Sequence, residues 1–289
     1  MTTTLEVITL GTGVAIPQPD RDPTSTLVRH GDQTLLVDAG SGALRKLARC
    51  GVALTRLDAV VLTHAHLDHT ADMLPLLFAL SIPTCVRERP LDVHASPETL
   101  ELLAGAAAAF GSWTQPGEQQ VRFHPIRPGE RREICGLNAT TTTAHHTASS
   151  VAWRFDCPAG RSVGIPGDTG PHQPLHELLH RCDLLVIECA LPDDHAPDRH
   201  LSPATLRALL AACRPTVTAV THRYEELLSH DLVHELGNDT IVTVPRDMQT
   251  YALLSDPDGG TAVSWNDPVT GPQVARSLRL SPRTDVPPR

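Results

Sequence analysis

Short runs of aliphatic residues alternate along the chain with polar breaks containing Gly and Pro, and the length of each run predicts its element. Residues 5–10 (Leu-Glu-Val-Ile-Thr-Leu) predict a strand that ends at Gly11-Thr12-Gly13. Residues 25–30 and 33–38 predict a hairpin around His30-Gly31-Asp32, and Gly42 then opens a helical stretch to about Cys50. Residues 58–63 (Asp-Ala-Val-Val-Leu-Thr) are short, apolar and β-branched, the pattern of a buried strand. A helix is predicted over 70–80, with Pro75 near its first turns. Further strands are predicted at 91–94, 121–126, 139–144, 150–155, 162–166, 184–188 and 216–220, and helices at 97–110, 173–181, 202–213 and 225–235. Strands come first in hairpins and later alternate with helices, which gives an α/β fold. One domain is expected over 1–255. From about Asp256 the chain turns polar without a clear period, so 256–289 is expected to be a final strand or extension followed by a Pro-rich tail at 275–289.

Composition narrows the function classes. A chain of 289 residues fits one large α/β domain, and 40% hydrophobic residues suffice for a sizeable core. Aromatics make up only 3%, so that core must be built from Leu, Val, Ala and Ile. The formal net charge is -9. A domain that grips nucleic acid through its phosphates carries a basic excess, so long nucleic acid is a weaker candidate partner than a small substrate. The seven cysteines are scattered, odd in number and free of C-x-x-C pairs, which argues against a disulfide framework or a thiolate zinc site. The N-terminus lacks a basic segment followed by an apolar one, and no run reaches the roughly 18 apolar residues of a membrane span. The expectation is a soluble, cytoplasmic protein with no membrane partner.

Sixteen histidines change the picture, because of where some of them fall. The strand predicted at 58–63 runs straight into His64-x-His66-x-Asp68-His69. Three imidazoles and a carboxylate lie within six residues, at the strand end where α/β sheets place their sites. Imidazole and carboxylate suit zinc and similar divalent ions. A random H-x-H-x-D-H is expected in only about 3 of 1000 chains of this composition. His172, His176 and His180 recur every four residues on a predicted helix, a spacing that reads as a polar face before it reads as a second metal site.

With this motif the chain resembles the metallo-β-lactamase superfamily, and the resemblance covers about residues 5 to 250. Further motifs follow in the family's order: Leu10-Gly11-Thr12-Gly13 with Val37-Asp38-Ala39-Gly40, a histidine after a strand at 146, Ile165-Pro166-Gly167-Asp168-Thr169, and Val220-Thr221-His222. The resemblance implies an αββα sandwich of two mixed β-sheets flanked by helices. It implies that His64, His66 and His146 hold one metal and that Asp68, His69 and His222 hold a second. Asp168 would bridge the two together with a water or hydroxide. Two zinc ions are the default, with manganese or iron as alternatives. Asp68 is also a candidate catalytic residue, and Asp38 would fix ligand geometry from outside. His145 and His146 are adjacent. The following Thr-Ala-Ser-Ser-Val-Ala-Trp153-Arg154-Phe155 is similar to the ribonuclease Z branch and favours His146.

Two features point to the branch. Lactonases, thioesterases and β-lactamases of the family carry Gly-His-Thr/Ser-x-Gly-Ser at the third ligand, which this chain lacks. Arg199-His200-Leu201-Ser202-Pro203 sits where ribonuclease Z-like proteins carry a functional histidine beside a helix start, so His200 is a candidate proton donor and Glu188 a candidate to orient it or line the site. Only 22 positions separate His146 from Asp168, too few for the tRNA-binding arm of bacterial ribonuclease Z. The expected function is therefore a binuclear zinc phosphodiesterase acting through a metal-bridging hydroxide on a small phosphodiester, such as a cyclic nucleotide or an RNA 3′ end. Arg154 or Arg223 could add positive charge for the phosphate. A carboxyl-bond hydrolase (lactone, thioester or ester) on the same metals is the alternative, and a non-catalytic binding protein is a third reading. The ribonuclease Z resemblance also implies a homodimer.

Overall fold

The structure, a computed structural model, describes residues 5–195, 198–237, 240–256, 260–267 and 270–277. Its first six strands are β1 (Leu5–Gly11), β2 (Ser25–His30), β3 (Gln33–Val37), β4 (Ala59–Val61), β5 (Leu91–Ala95) and β6 (Val121–Pro125). Seven more follow: β7 (Arg131–Ile134), β8 (Leu137–Thr143), β9 (Val151–Asp156), β10 (Ser162–Ile165), β11 (Leu184–Glu188), β12 (Val217–Thr221) and β13 (Ile241–Thr243). The last three are β14 (Gln249–Ser255), β15 (Thr261–Asp267) and β16 (Gly271–Ser277). Among the described residues they form a nine-stranded sheet, β16-β15-β14-β1-β2-β3-β4-β5-β6, and a seven-stranded sheet, β13-β12-β11-β10-β9-β8-β7. Each sheet is mixed: β3 to β6 run parallel, as do β10 to β13, and the remaining pairs are antiparallel.

The period of two along each strand divides the core into layers. Val7, Val28, Leu35, Val61, Leu184 and Val186 turn into the seam between the sheets, where Trp153 and Phe155 stack with ring centroids 5.8 Å apart. Their neighbours Ile8, Leu27, Leu36 and Val60 turn outward and pack under helices α1 (Ala43–Arg49), α3 (Met73–Ser81) and α4 (Pro97–Phe110). Helix α2 (Leu67–Thr70) is a single turn inside the histidine motif. On the second sheet, Leu185, Ile187 and Val220 pack under α5 (Gln173–Leu178), α6 (Pro203–Cys213) and α7 (Leu232–Leu236). Both sheets are thus covered on both faces, which explains the near-continuous apolar runs of their parallel strands. Full burial of each such Leu or Val contributes about 1.5–3 kcal/mol. The arrangement is the αββα sandwich expected from the sequence.

Several boundaries differ from the sequence reading. The helix expected over 225–235 is broken. Glu225–Leu227 forms one 3-10 turn, and α7 starts afresh where the Asp231 side chain accepts the His234 N–H at 3.1 Å. The helix expected to 181 stops at Leu178, because the Arg154 guanidinium takes the carbonyls of Leu178 and His180 at 3.0 and 2.8 Å. The sequence reading does not predict strands β7, β13 and β14, and where it expects one final strand or extension the chain forms two, β15 and β16. β7 (Arg-Arg-Glu-Ile) exposes three of its four residues at a sheet edge, so no hydrophobic alternation marks it. The stretch from 256 carries β15 and β16, which pair in register with β14 and with each other up to Ser277. The tail was expected from 275, and residues 278–289 of it lie outside the described residues.

Candidate metal centre

Strand β4 ends against the second sheet before the histidine motif begins. The Leu62 carbonyl accepts the Trp153 indole N–H at 3.4 Å, and the Thr63 carbonyl accepts the Val151 N–H at 2.8 Å. The Ala39 N–H bonds the His69 carbonyl at 2.7 Å, and the Asp72 N–H bonds the Ala39 carbonyl at 2.8 Å, so the motif is tied back onto the end of β3. Asp168 follows β10 and His222 follows β12, both at the carboxyl ends of parallel strands. His146 follows β8.

These elements bring two groups of side chains together. His64, His66, His146 and Asp168 form one, and Asp68, His69, Asp168 and His222 form the other, with candidate ligand atoms within 4.8 Å of one another in each. Asp168 belongs to both. Its Oδ1 lies 3.2 Å from His69 Nε2, and its Oδ2 lies 3.4, 3.8 and 3.9 Å from Nε2 of His222, His146 and His64. His222 Nε2 is 3.2 Å from Asp68 Oδ2, and His66 Nδ1 is 3.0 Å from His146 Nε2. His146 is buried in this cluster, whereas His145 is exposed beside His172.

The outer hydrogen bonds determine which ring nitrogens are bare. Asp38 Oδ2 accepts from His69 Nδ1 at 2.7 Å, so Nε2 is the nitrogen of that ring turned toward the cluster. Thr63 Oγ1 donates to Asp38 Oδ2 at 2.8 Å and therefore accepts from His64 Nδ1 at 3.0 Å, which leaves His64 Nε2 bare. His146 Nδ1 donates to the Arg199 carbonyl at 3.1 Å, so its Nε2 also points inward as a lone pair. His64 Nε2 and His69 Nε2 are buried with no hydrogen-bond partner. Buried bare nitrogens are costly. Converged on carboxylates, they form a donor set that suits a divalent cation, and the residues fit the metal centre that the sequence implies.

Electrostatics separate the two groups. Burial pushes His64 well down and His146 down to about 4, which keeps both imidazoles neutral, the form that binds metal. For His69, burial alone would also lower the pKa, but the carboxylates of Asp168 and Asp38 outweigh it and raise it well above the ordinary range. For His222, burial is likewise outweighed by Asp168 and Asp68. Burial would raise Asp168, but His222, His69 and His64 hold it well below the usual carboxylate range. Burial would raise Asp68 too, and the hydrogen bond from His222 with the charge of His69 lowers it.

A third group, Glu188, His200 and His222, adjoins these. The ring of His200 lies 4.7 Å from that of His146 and 5.9 Å from that of His222, centroid to centroid. Glu188 is almost fully buried at the end of β11, and its Oε2 takes the Leu201 N–H at 3.1 Å. Of the arginines offered for phosphate binding, Arg154 is committed elsewhere: its Nε and Nη2 pair with Asp156 and its Nη1 closes the end of α5. Arg223 is buried with an N–H on the Leu227 carbonyl at 3.4 Å. Of the helix-spaced histidines, only His176 lies within α5, and none of the three joins a metal-binding group among the described residues.

Sequence reasoning missed three contributors. Thr63 relays Asp38 to His64, and its position just before the motif could have flagged it. The Arg199 carbonyl fixes His146, a role no side-chain pattern reveals. Tyr224 sets its ring edge-on to His222 at 5.9 Å; its neighbourhood to the last ligand was the only signal.

Comparison with known proteins agrees with this fold. A model of the β-lactamase superfamily domain matches residues 33–223. Ribonuclease Z of Mycobacterium bovis (strain BCG / Pasteur 1173P2) is 34% identical over 194 residues, which cover 63% of this chain and 69% of that protein. The crystal structure of the metallo-β-lactamase fold protein YhfI from Bacillus subtilis superposes with a TM-score of 0.76 at 21% identity, covering 86% of this chain and 99% of that one. A diphosphatase from the PhnP family superposes with a TM-score of 0.68 at 19% identity, covering 85% of this chain and 96% of that one.

Proposed function

Because the chain belongs to the β-lactamase superfamily and is a metal-dependent hydrolase of its ribonuclease Z-like branch, acting on phosphodiesters, we propose that it is a two-zinc phosphodiesterase whose substrate is a small phosphodiester, such as a cyclic nucleotide or an RNA 3′ end. The observation that carries the reading is the pair of ligand groups sharing Asp168, with His200 and Glu188 beside them. In the proposal His64, His66 and His146 hold one cation, Asp68, His69 and His222 hold the other, and Asp168 serves both. Two such cations supply a nucleophile from water at neutral pH and neutralise charge on the phosphate oxygens.

The chain's own residues do the rest. Asp38 and Thr63 lock the tautomers of His69 and His64, so the bare nitrogens stay aimed inward. Asp68, kept ionised by His222 and His69, takes up the proton lost by the attacking water. His200, held by Glu188, is raised despite burial and is therefore available in its protonated form to donate to the leaving oxygen. The small-substrate part of the reading is supported by the tight turn from Cys157 to Arg161 between β9 and β10, which leaves no arm between His146 and Asp168, and by the net charge of -9. The seven free thiols support a reducing, cytoplasmic setting. Exposed apolar side chains on and beside α3 and α4 (Phe78, Phe110, Trp113) support a homodimer.

Hydrolysis of bis(p-nitrophenyl) phosphate by the wild type and His66→Ala, each with added zinc or manganese, tests the proposal. Metal-dependent turnover lost in the variant is the expected result. No turnover by fully metallated wild type would move the assignment to a carboxyl bond.

A further inference from the structure

We propose that Asp247 is a positioning residue for the second metal position, acting on His222 through Thr12; the inference rests on the two-metal reading above. Asp247 lies in the turn that leads into β14, outside the stretch matched by the family model. Its carboxylate gathers donors from three separate pieces of chain. Oδ1 accepts the Thr12 N–H at 2.9 Å and the Thr12 Oγ1–H at 2.7 Å, just past β1. Oδ2 accepts the Asp22 N–H at 2.7 Å, in the loop before β2. It also accepts from the Lys46 ammonium on α1. The Lys46 side chain is only 5% exposed and also pairs with Asp22 Oδ2 at 2.8 Å, so removing a carboxylate here leaves a buried charge short of partners.

Thr12 passes this anchorage on. Its carbonyl accepts the His222 N–H at 2.9 Å. His222 has a φ of 51°, in the left-handed region that side-chain-bearing residues seldom adopt. Its ring direction therefore depends on an external pin on its backbone, and Thr12 is that pin. Arg21 braces the same residue from the other side, donating to Thr12 Oγ1 at 2.7 Å and to the Pro245 carbonyl at 2.9 Å. The contacts run without a gap from Lys46 through Asp247 and Thr12 to His222. The first group does not share them: His64 is set by Thr63 and His146 by Arg199. Loss of Asp247 therefore acts on one metal position and spares the other.

Zinc titration of metal-free protein, followed by calorimetry and by the absorption of the cobalt form, tests the proposal. Asp247→Asn is expected to bind the first zinc as the wild type does and the second about 10–100-fold more weakly, the usual effect of losing an outer partner of a ligand. Wild-type affinity at both positions overturns the proposal. So does a parallel loss at both, which is what a general loosening of the fold produces. Thr12→Val removes the two bonds of the hydroxyl, to Asp247 and from Arg21, keeps the main-chain bonds of Thr12 to Asp247 and His222, and serves where Asp247→Asn does not fold: a several-fold loss at the second position alone supports the proposal, and an unchanged second position overturns it. A wild type that takes up a single zinc overturns the two-metal reading and this inference with it.

Discussion

The Nδ1–H of His200 donates to Glu188 Oε1 across 2.9 Å, and the same oxygen takes the Thr169 N–H at 2.7 Å. Thr169 directly follows Asp168, so one buried carboxylate ties the candidate proton donor to the residue shared by both ligand groups. The bond leaves His200 Nε2 as the nitrogen free to exchange a proton. Replacing Glu188 by Gln removes the negative charge and keeps the shape.

Glu188→Gln is expected to lower kcat by about 10²–10³ while leaving bound metal unchanged. Glu188 helps to raise His200 against burial. A proton donor with a raised pKa works below that pKa and fails as pH climbs through it. The alkaline limb of the pH–kcat/KM profile should therefore move to lower pH in the variant. A limb that stays in place would count against His200 as the acid.

The adjacent histidines give a sharp contrast. His146→Ala should cost one metal equivalent and at least about 10³ in activity, because the bare Nε2 is gone. His145→Ala removes an exposed ring, so stability should stay within about 0.5 kcal/mol and activity near wild type. Metal analysis and turnover of the two purified variants decide the matter; the reverse pattern would make His145 the ligand.

Gly167 has a φ of 69°, and a Cβ there would stand 2.6 Å from the side chain of Thr63. Thr63 is the relay between Asp38 and His64. Gly167→Ala is therefore expected to cost about 1–3 kcal/mol in the metal-free protein through backbone strain and collision. It should also weaken zinc binding by displacing the relay. Denaturant unfolding and zinc titration would expose the error if both stay at wild-type values.

His94, on β5 and far from the ligand groups in sequence, supplies a stability signal of its own. Burial, with a smaller contribution from the stacked His124 4.7 Å away, lowers it to about 4. The unfolded chain thus binds a proton near pH 6.5 that the folded chain refuses until about pH 4. Stability contributed by the neutral ring is present above pH 6.5 and is lost as pH falls from 6.5 toward 4, on the order of 1–3 kcal/mol. Thermal unfolding across that window should be flatter in His94→Gln than in the wild type, and identical slopes would refute the assignment.

Much of this was readable beforehand. β4, β11 and β12 are short apolar runs with β-branched residues, buried on both faces, and such runs are visible without knowing their neighbours. The motif His64 to His69 is local, so spacing alone revealed it. What escaped was non-local or carried by the main chain. Thr12 and Asp247 are 235 positions apart, and although Thr12 lies in the Gly11-Thr12-Gly13 turn, no local pattern links it to Asp247. The Arg199 carbonyl acts on His146 whatever its side chain. Arg154 looked like a free cation because the sequence does not show that Asp156 and the end of α5 claim it. β14 and β15 are hard to read because polar, half-buried and exposed residues interrupt their alternation although each is paired on both sides.

The sharing of Asp168 between the two ligand groups bears on maturation as well as on chemistry. His64 to His69 come from the first half of the sandwich, whereas His146, Asp168 and His222 come from the second, and Asp68 and His222 alone are 154 positions apart. Neither half can chelate a cation by itself in the arrangement proposed above. Tight metal uptake would then be possible only after the two sheets have closed on each other. A nascent chain in a cell would acquire its metals as the last act of assembly, and a metal-loaded molecule would by that fact be a correctly finished one.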